Sequence, residues 1–236
     1  MAANGLRKTS IPPHAQRTEE DPGGRNGKPP ARWRRRKHAR PQEILKAALS
    51  VFAEKGFAAA RLEEIAARAG VTKGTIYLYF DSKEAVFKAL VQDRLVSQLN
   101  VFADLARAHQ GPVAPLLANL LRNIGTFLCT SDYAVLPKIV IAEAGNFPDL
   151  ARMYRWDVIE RGLKLLGGVI SAGIARGEFR DIPVAHAARL ALAPMLLAAI
   201  WRTTFAKFDS TPYDYEGLFE AHIATLLQGL AKEAPS

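Results

Sequence analysis

A single cysteine, Cys129, rules out an intrachain disulfide and fits a reducing compartment. It stands in the run Phe127-Leu128-Cys129, where the role of a small buried apolar residue suits it. Histidine is sparse, and His109, His186 and His222 stand apart from one another, so no metal ion or other cofactor is implied. The chain has no H-E-x-x-H, no G-x-S-x-G, no glycine-rich phosphate loop and no Cys/His pairing at an informative spacing, which argues against an enzyme. Long apolar runs are also missing. The longest extends only from Leu190 to Trp201 and contains Pro194, short of the roughly 20 residues a bilayer span needs. The first forty residues contain no apolar core of a signal peptide. The expectation is a soluble cytoplasmic protein with no membrane partner.

Acidic residues are almost absent from the first forty positions, where Glu19, Glu20 and Asp21 face eleven lysines and arginines. The whole chain of 236 residues carries a formal charge of +9, so nearly all the excess lies in this segment and the remainder is close to neutral. Five prolines and four glycines in the same segment, with few large apolar residues, predict a disordered basic tail over residues 1–39. Its densest part, Arg32-Trp33-Arg34-Arg35-Arg36-Lys37, lies just ahead of the first helix. Two uses are open for it: a solubilising tail, or an arm that follows phosphates or enters a minor groove. A tail without interleaved apolar residues does not suit insertion into a membrane surface.

Period-2 alternation of β-branched residues is scarce, and 49% of residues are hydrophobic, so the predicted class is all-α. A first helix is expected from Pro41 to Lys55, with Ile44, Leu45, Ala48, Val51 and Phe52 as its stripe and Gly56 as its end. Leu62, Ile65, Ala66 and Ala69 recur at i, i+3, i+4 and i+7 in a second helix. Gly70 suits the left-handed residue that closes it, Val71 is an apolar plug, and Thr72 is an N-cap for a third helix. There Ile76 and Phe80 face inward, while Lys73, Thr75, Tyr77 and Tyr79 populate the outer faces. A short helix, a glycine turn and a second helix with a polar, cationic and aromatic exterior read as helix-turn-helix, whose second helix enters the major groove. A plain αα-hairpin is the competing description.

The stretch from Gly70 to Val86, GVTKGTIYLYFDSKEAV, resembles the signature of the TetR family of bacterial regulators, G-V-[ST]-x-[GP]-x-[IL]-Y-x-[HY]-F-x-[ST]-K-x-x-[LVI]. The likeness reaches upstream through Ile44 to Gly56. One departure is the missing Thr or Ser cap on helix two, where Ala59, Ala60 and Arg61 stand. The resemblance implies a three-helix DNA-binding head over residues 40–98 and a larger helical body for ligand binding and dimerisation over 99–236. It carries DNA contact onto Thr72, Lys73, Gly74, Thr75, Tyr77, Tyr79 and Lys83. Leu78 is added as a residue that meets a thymine methyl or the motif's edge, Arg61 as a substitute phosphate ligand, and Arg40 as the basic residue ahead of helix one. One of the two tyrosines, Tyr77 in particular, has packing in the head core as its alternative.

Beyond the head, Asp81 and Glu84 form a D-x-x-E box that starts a fourth helix, running to about Asn100. Apolar patterns then span Val113–Leu128, Tyr133–Ala144, Pro148–Ala175, Val184–Phe208 with Pro194 inviting a kink, and Tyr215–Leu230. The resemblance implies an effector pocket in this body, for which Phe127, Tyr133, Phe147, Tyr154, Trp156 and Trp201 are the candidates, with plain core as the alternative for each. The supply of aromatic and aliphatic side chains favours an apolar or aromatic effector. Leu190, Leu197, Ile200, Trp201, Phe219, Ile223, Leu226 and Leu227 are the expected dimer contacts, because helices apolar nearly all round must be buried on several sides. A two-fold dimer would set two recognition helices one DNA turn apart, ~34 Å, as a palindromic operator requires. The expected function is a dimeric transcriptional regulator on double-stranded DNA, a repressor released by a small effector. The alternative is an effector-independent architectural protein of the nucleoid.

Overall fold

The computed structural model describes the backbone of residues 31–232 and the side chains from Arg40 onward. Among the described residues the fold is all-α: no strand forms, and one isolated antiparallel bridge joins Phe179 to Ala231. The basic tail expected over residues 1–39 falls outside the described residues, except for the backbone from Ala31, which is helical and runs into the first helix. That helix, α1, spans Ala31–Ala59 and contains Pro41, so it starts ahead of the expected Pro41. Arginine and lysine are good helix formers, so helix need not wait for the proline. Gly56, at φ 78° and ψ 170°, interrupts α1 at the expected place.

Helix α2 (Leu62–Arg68), α3 (Lys73–Tyr77) and α4 (Lys83–Val91) complete the head. Its centre is a triangle of Phe52, Phe57 and Phe87, with ring centroids 5.3, 5.7 and 5.4 Å apart and tilted or edge-on geometry, the arrangement that ring quadrupoles favour. Ile44, Ile65 and Ile76 close around it, fully buried. The D-x-x-E box does not cap α4. Ser82 does, in extended backbone, its hydroxyl accepting from Ala85 N at 3.2 Å. The cap therefore falls one residue later than expected, on a side chain short enough to reach back to the helix.

Helix α4 continues through a π-helical turn, Gln92–Val96, into α5 (Ser97–Ala108). The body follows as α6 (Val113–Thr130), α7 (Val135–Glu143), α8 (Pro148–Tyr154), α9 (Arg161–Ala175), α10 (Val184–Thr204) and α11 (Tyr215–Leu230). A second π-helical stretch, Arg155–Glu160, joins α8 to α9, so the pattern from Pro148 to Ala175 is helical throughout. Helix α10 runs unbroken through Pro194.

Apolar burial falls into two clusters. Residues of α5, α6, α9, α10 and α11 form one. The other holds the head and also Leu136, Ile139 and Val140 of α7 with Leu150 and Tyr154 of α8. The head is therefore seated on the α7–α8 pair, and its core continues past residue 98 into the body. Helices α6 and α10 are each long and apolar enough to cross a membrane by length and composition; here they pack against each other within the second cluster.

Candidate nucleic-acid interface

The turn between α2 and α3 is fixed by backbone hydrogen bonds. Gly70 takes φ 65°, a left-handed value that costs any residue with a Cβ. Gly70 N then donates to Ala67 O at 3.1 Å and Val71 N to Ala66 O at 2.9 Å, the paired closure of a Schellman motif. Val71 is half-buried against the head core. Thr72 caps α3, its Oγ1 accepting from Thr75 N at 3.2 Å and lying 2.9 Å from Thr75 Oγ1. Helix α2, by contrast, starts at Arg61 with no side-chain cap, as the departure from the family pattern suggests. Glu63 and Glu64 in its first turn complement the helix dipole instead.

With Ile76 fully buried, the rest of α3 is presented outward. Thr72, Lys73 and Gly74 are exposed and Thr75 is half-buried. Tyr77 is 43% exposed and Leu78 81% exposed. Tyr79 packs against the head core, so the inward tyrosine of the pair is Tyr79 and the outward one is Tyr77. A Cβ added at Gly74 would meet nothing nearer than Thr72 Oγ1 at 4.0 Å, so nothing inside the protein demands glycine there. Arg61 is exposed beside this surface, and Arg40 is half-buried with a 3.4 Å ion pair to Glu43.

Two residues have roles that the sequence pattern does not reveal. Lys73 Nζ lies 2.7 Å from Glu63 Oε1 across the α2–α3 crossing, and 6.0 Å from the centroid of Tyr77. Its hydrogen bond draws the Glu63 carboxyl below the usual carboxylate range and raises the lysine's own pKa. Both groups are exposed and the pair is weak. Lys83 has partners within the head. Its ammonium is turned inward, donating to Phe57 O at 2.9 Å and Ala58 O at 2.7 Å. These carbonyls lie at the broken end of α1, where helix geometry leaves acceptors unsatisfied. Lys83 is half-buried, and both of these bonds tie it to the head itself.

The body contains a cavity of about 190 Å³ between α5, α6, α7, α9 and α10. Its wall is apolar apart from Gln98 and Tyr154, and no charged side chain lines it. Burial pushes the Tyr154 phenol up, so it is neutral. Of the six aromatic candidates, Phe127 and Tyr154 belong to this wall. Tyr133 stacks on Phe127 at 6.5 Å but faces a cleft between α1 and the body. Phe147 packs on Phe57 of the head, and Trp156 is exposed beside Arg155. Trp201 is on the outside of α10, bonded to Asp209 Oδ2 at 2.9 Å. Among the described residues no group of histidine, cysteine and carboxylate side chains could hold a metal ion.

The surface of α10 opposite the cavity is apolar and uncovered. Leu190 and Leu197 are 61% and 62% exposed, Trp201 is exposed, and Ile200 is half-buried. Phe205 and Tyr213 extend this surface: Phe205 lies 5.1 Å from Trp201, and Tyr213 shares a groove with Leu197 and Trp201. The other expected contacts divide. Leu226 and Leu227 are half-buried, whereas Phe219 and Ile223 are buried in the chain's own second core. The latter two correct an expectation, since they face α6 and have no surface to give to a second copy.

Comparison with known proteins places these features. Residues 44–90 match the model of bacterial regulatory proteins of the tetR family, and residues 115–227 match that of the AefR-like transcriptional repressor C-terminal domain. The HTH-type transcriptional regulator YfiR of Bacillus subtilis is 30% identical over 203 residues, covering 81% of this chain and 94% of that protein. A TetR-family regulator from Mesorhizobium loti superposes with TM-score 0.66 at 23% identity, over 84% of this chain and 99% of that one. The regulator FadR of Bacillus subtilis, solved in complex with stearoyl-CoA, superposes with TM-score 0.65 at 22% identity, over 80% and 98% of the two chains. The helix-turn-helix lies within a match to the tetR model, the body within a match to a repressor C-terminal domain, and the likeness to YfiR runs along nearly that protein's whole length; the chain belongs to the TetR family of bacterial transcriptional regulators.

Proposed function

We propose that the protein is a homodimeric repressor that binds a palindromic operator in the cytoplasm and releases it when a small apolar effector enters the body. The observation that carries this reading is the outer face of α3. Thr72, Lys73, Gly74, Tyr77 and Leu78 are held outward by a fully buried Ile76, and none of them is needed by the head core. Thr72 and the first amides of α3 suit a phosphate, and Gly74 admits a close backbone approach. Lys73 suits a phosphate or guanine, and Tyr77 and Leu78 offer ring face and methyls to thymine. Arg61, beside this face, and Arg40, on α1, are added as phosphate ligands. Lys83 is withdrawn from the set.

The effector reading rests on the cavity. A wall without a charged side chain cannot repay burial of an ion, so the part of the ligand it takes is neutral. Stearoyl-CoA, the ligand of the Bacillus subtilis FadR structure, has an acyl chain of that character. Sites for drug-sized ligands measure roughly 300 Å³ or more, so a long chain enters this cavity of about 190 Å³ only by displacing its walls. That is a physical basis for coupling ligand entry to helix movement.

The test is selection of genomic fragments by the purified protein at physiological salt. Strong enrichment of one short palindrome is expected. Lys73→Ala is expected to weaken binding on every sequence and to lower the salt slope by about one unit for each head bound; an unchanged affinity would remove Lys73 from the interface. Weak, uniform, salt-sensitive retention would point instead to an architectural protein of the same fold, with the basic residues of the first forty positions as its main contact.

A further inference from the structure

Besides the shared core, one turn of the head is fastened from both sides. Past Gly56, the residues Phe57 and Ala58 lead to Ala60, which is buried, and to Arg61 at the start of α2. Within the head, Lys83 holds the two carbonyls of this turn. From the body, Glu143 at the end of α7 accepts the Ala58 N–H on Oε1 at 3.0 Å. The other oxygen of Glu143 accepts from Asn146 Nδ2 at 3.3 Å, and Phe147 N closes the corner onto Glu143 O at 2.8 Å. The Phe147 ring meets Phe57 edge-on, centroids 4.8 Å apart, and Lys83 Nζ lies 4.8 Å from one ring and 5.3 Å from the other. A charge-assisted bond to a backbone amide is among the stronger hydrogen bonds. The rings and the lysine leave the turn little room to shift alone.

Both helices that meet at this corner also wall the cavity. Helix α7 supplies Pro137, Val140 and Ile141, two residues before Glu143; α8, which begins directly after Phe147, supplies Tyr154. The corner therefore joins the cavity wall to the turn that carries α2 and α3 through one hydrogen bond and one ring contact. We propose that Glu143 is a positioning residue for DNA binding: through Ala58 it sets the pose of α2 and α3 on the body, and filling the cavity releases that hold. This deepens the repressor reading given above and rests on it for the link to DNA.

The experiment measures hydrogen exchange of the amides from Phe57 to Arg61 in the full chain, together with affinity for the selected operator. Glu143→Ala is expected to speed exchange at Ala58 and to weaken operator binding about five- to tenfold, the scale of an ordinary coupling between sites. Glu143→Gln, which keeps an acceptor at the same reach, is expected to restore both; a residue needed only for folding would not be rescued by its amide in exchange at one named position. Occupancy is mimicked without a ligand by Gly162→Leu, since Gly162 lines the cavity on α9 with Leu99 Cδ2 3.7 Å from its missing Cβ. Val140→Phe is a second filler should the first fail to fold. Either filler is expected to speed Ala58 exchange in the native background and to add nothing in Glu143→Ala. Unchanged exchange and affinity in Glu143→Ala would overturn the proposal; fast exchange that ignores both fillers would overturn its link to the cavity. If no operator is found, the repressor reading fails while exchange at Ala58 still decides whether the hold exists.

Discussion

Leu197→Glu is expected to convert the protein to monomers and to reduce operator affinity by about 10³-fold or more, to the level of non-specific binding. Leu197 is 62% exposed in the isolated chain, on the same side of α10 as Leu190 and Trp201 and in one groove with Tyr213. Contiguous apolar surface of this kind marks a protein partner, and a carboxylate placed within it would be buried without a counter-charge. The effect on DNA follows from geometry. One head reads half a palindrome, and two heads held together make the second contact intramolecular. Because the leucine side chain lies outside both cores, helix content measured by circular dichroism should not change. Sedimentation equilibrium at micromolar protein with anisotropy on the selected operator reads both effects, and Leu197→Met should behave as the native chain. A dimer that persists with native affinity would place the two-fold interface elsewhere.

How much of this was legible in the sequence differs sharply between the head and the body. In the head, the signals are local. A left-handed glycine, an apolar plug and a cap at consecutive positions Gly70, Val71 and Thr72 act through neighbouring backbone groups, so reading them in order yields the turn that forms. The path of Lys83 is not local. Its partners are the carbonyls of residues 57 and 58, reached because α4 crosses the end of α1, and no spacing along the chain reports that crossing. Glu63 and Glu143 carry no mark in the sequence for the same reason: each meets a partner brought by another helix.

In the body, periodicity yields helices but not directions. Helix α10 is apolar nearly all round, so no stripe tells its cavity side, Leu192 and Leu196, from its outer side, Leu190 and Leu197. The aromatic candidates divide on the same point. Phe127 and Tyr154 reach the cavity, Phe147 the head and Trp156 solvent, because an aromatic ring serves equally as wall, wedge or cover. Which of these it does is settled by the helices that happen to face it.

Phe219 shows how an assignment of this kind can be decided by energy. It is 4% exposed, and a Cβ built on Gly125 of α6 would fall 2.7 Å from its Cδ2 and 2.8 Å from its Cε2. The glycine is therefore the space the ring occupies. Phe219→Ala is expected to cost about 3–5 kcal/mol, the usual loss for a buried ring with the cavity it leaves. Gly125→Ala alone should also destabilise, by about 1–3 kcal/mol of overpacking offset by about 1 kcal/mol of helix propensity. In the Phe219→Ala background the clash is gone and only the propensity gain remains, so there Gly125→Ala should stabilise. The sign of one substitution reverses with the identity of its neighbour, which is what a direct contact within one chain requires. Urea denaturation of the four proteins at a single protomer concentration measures it, the concentration being fixed because dimer dissociation adds its own term. Were Phe219 instead pressed against a second copy, Gly125→Ala would have the same effect in both backgrounds, and Phe219→Ala would act on dissociation of the dimer and not on the stability of each chain.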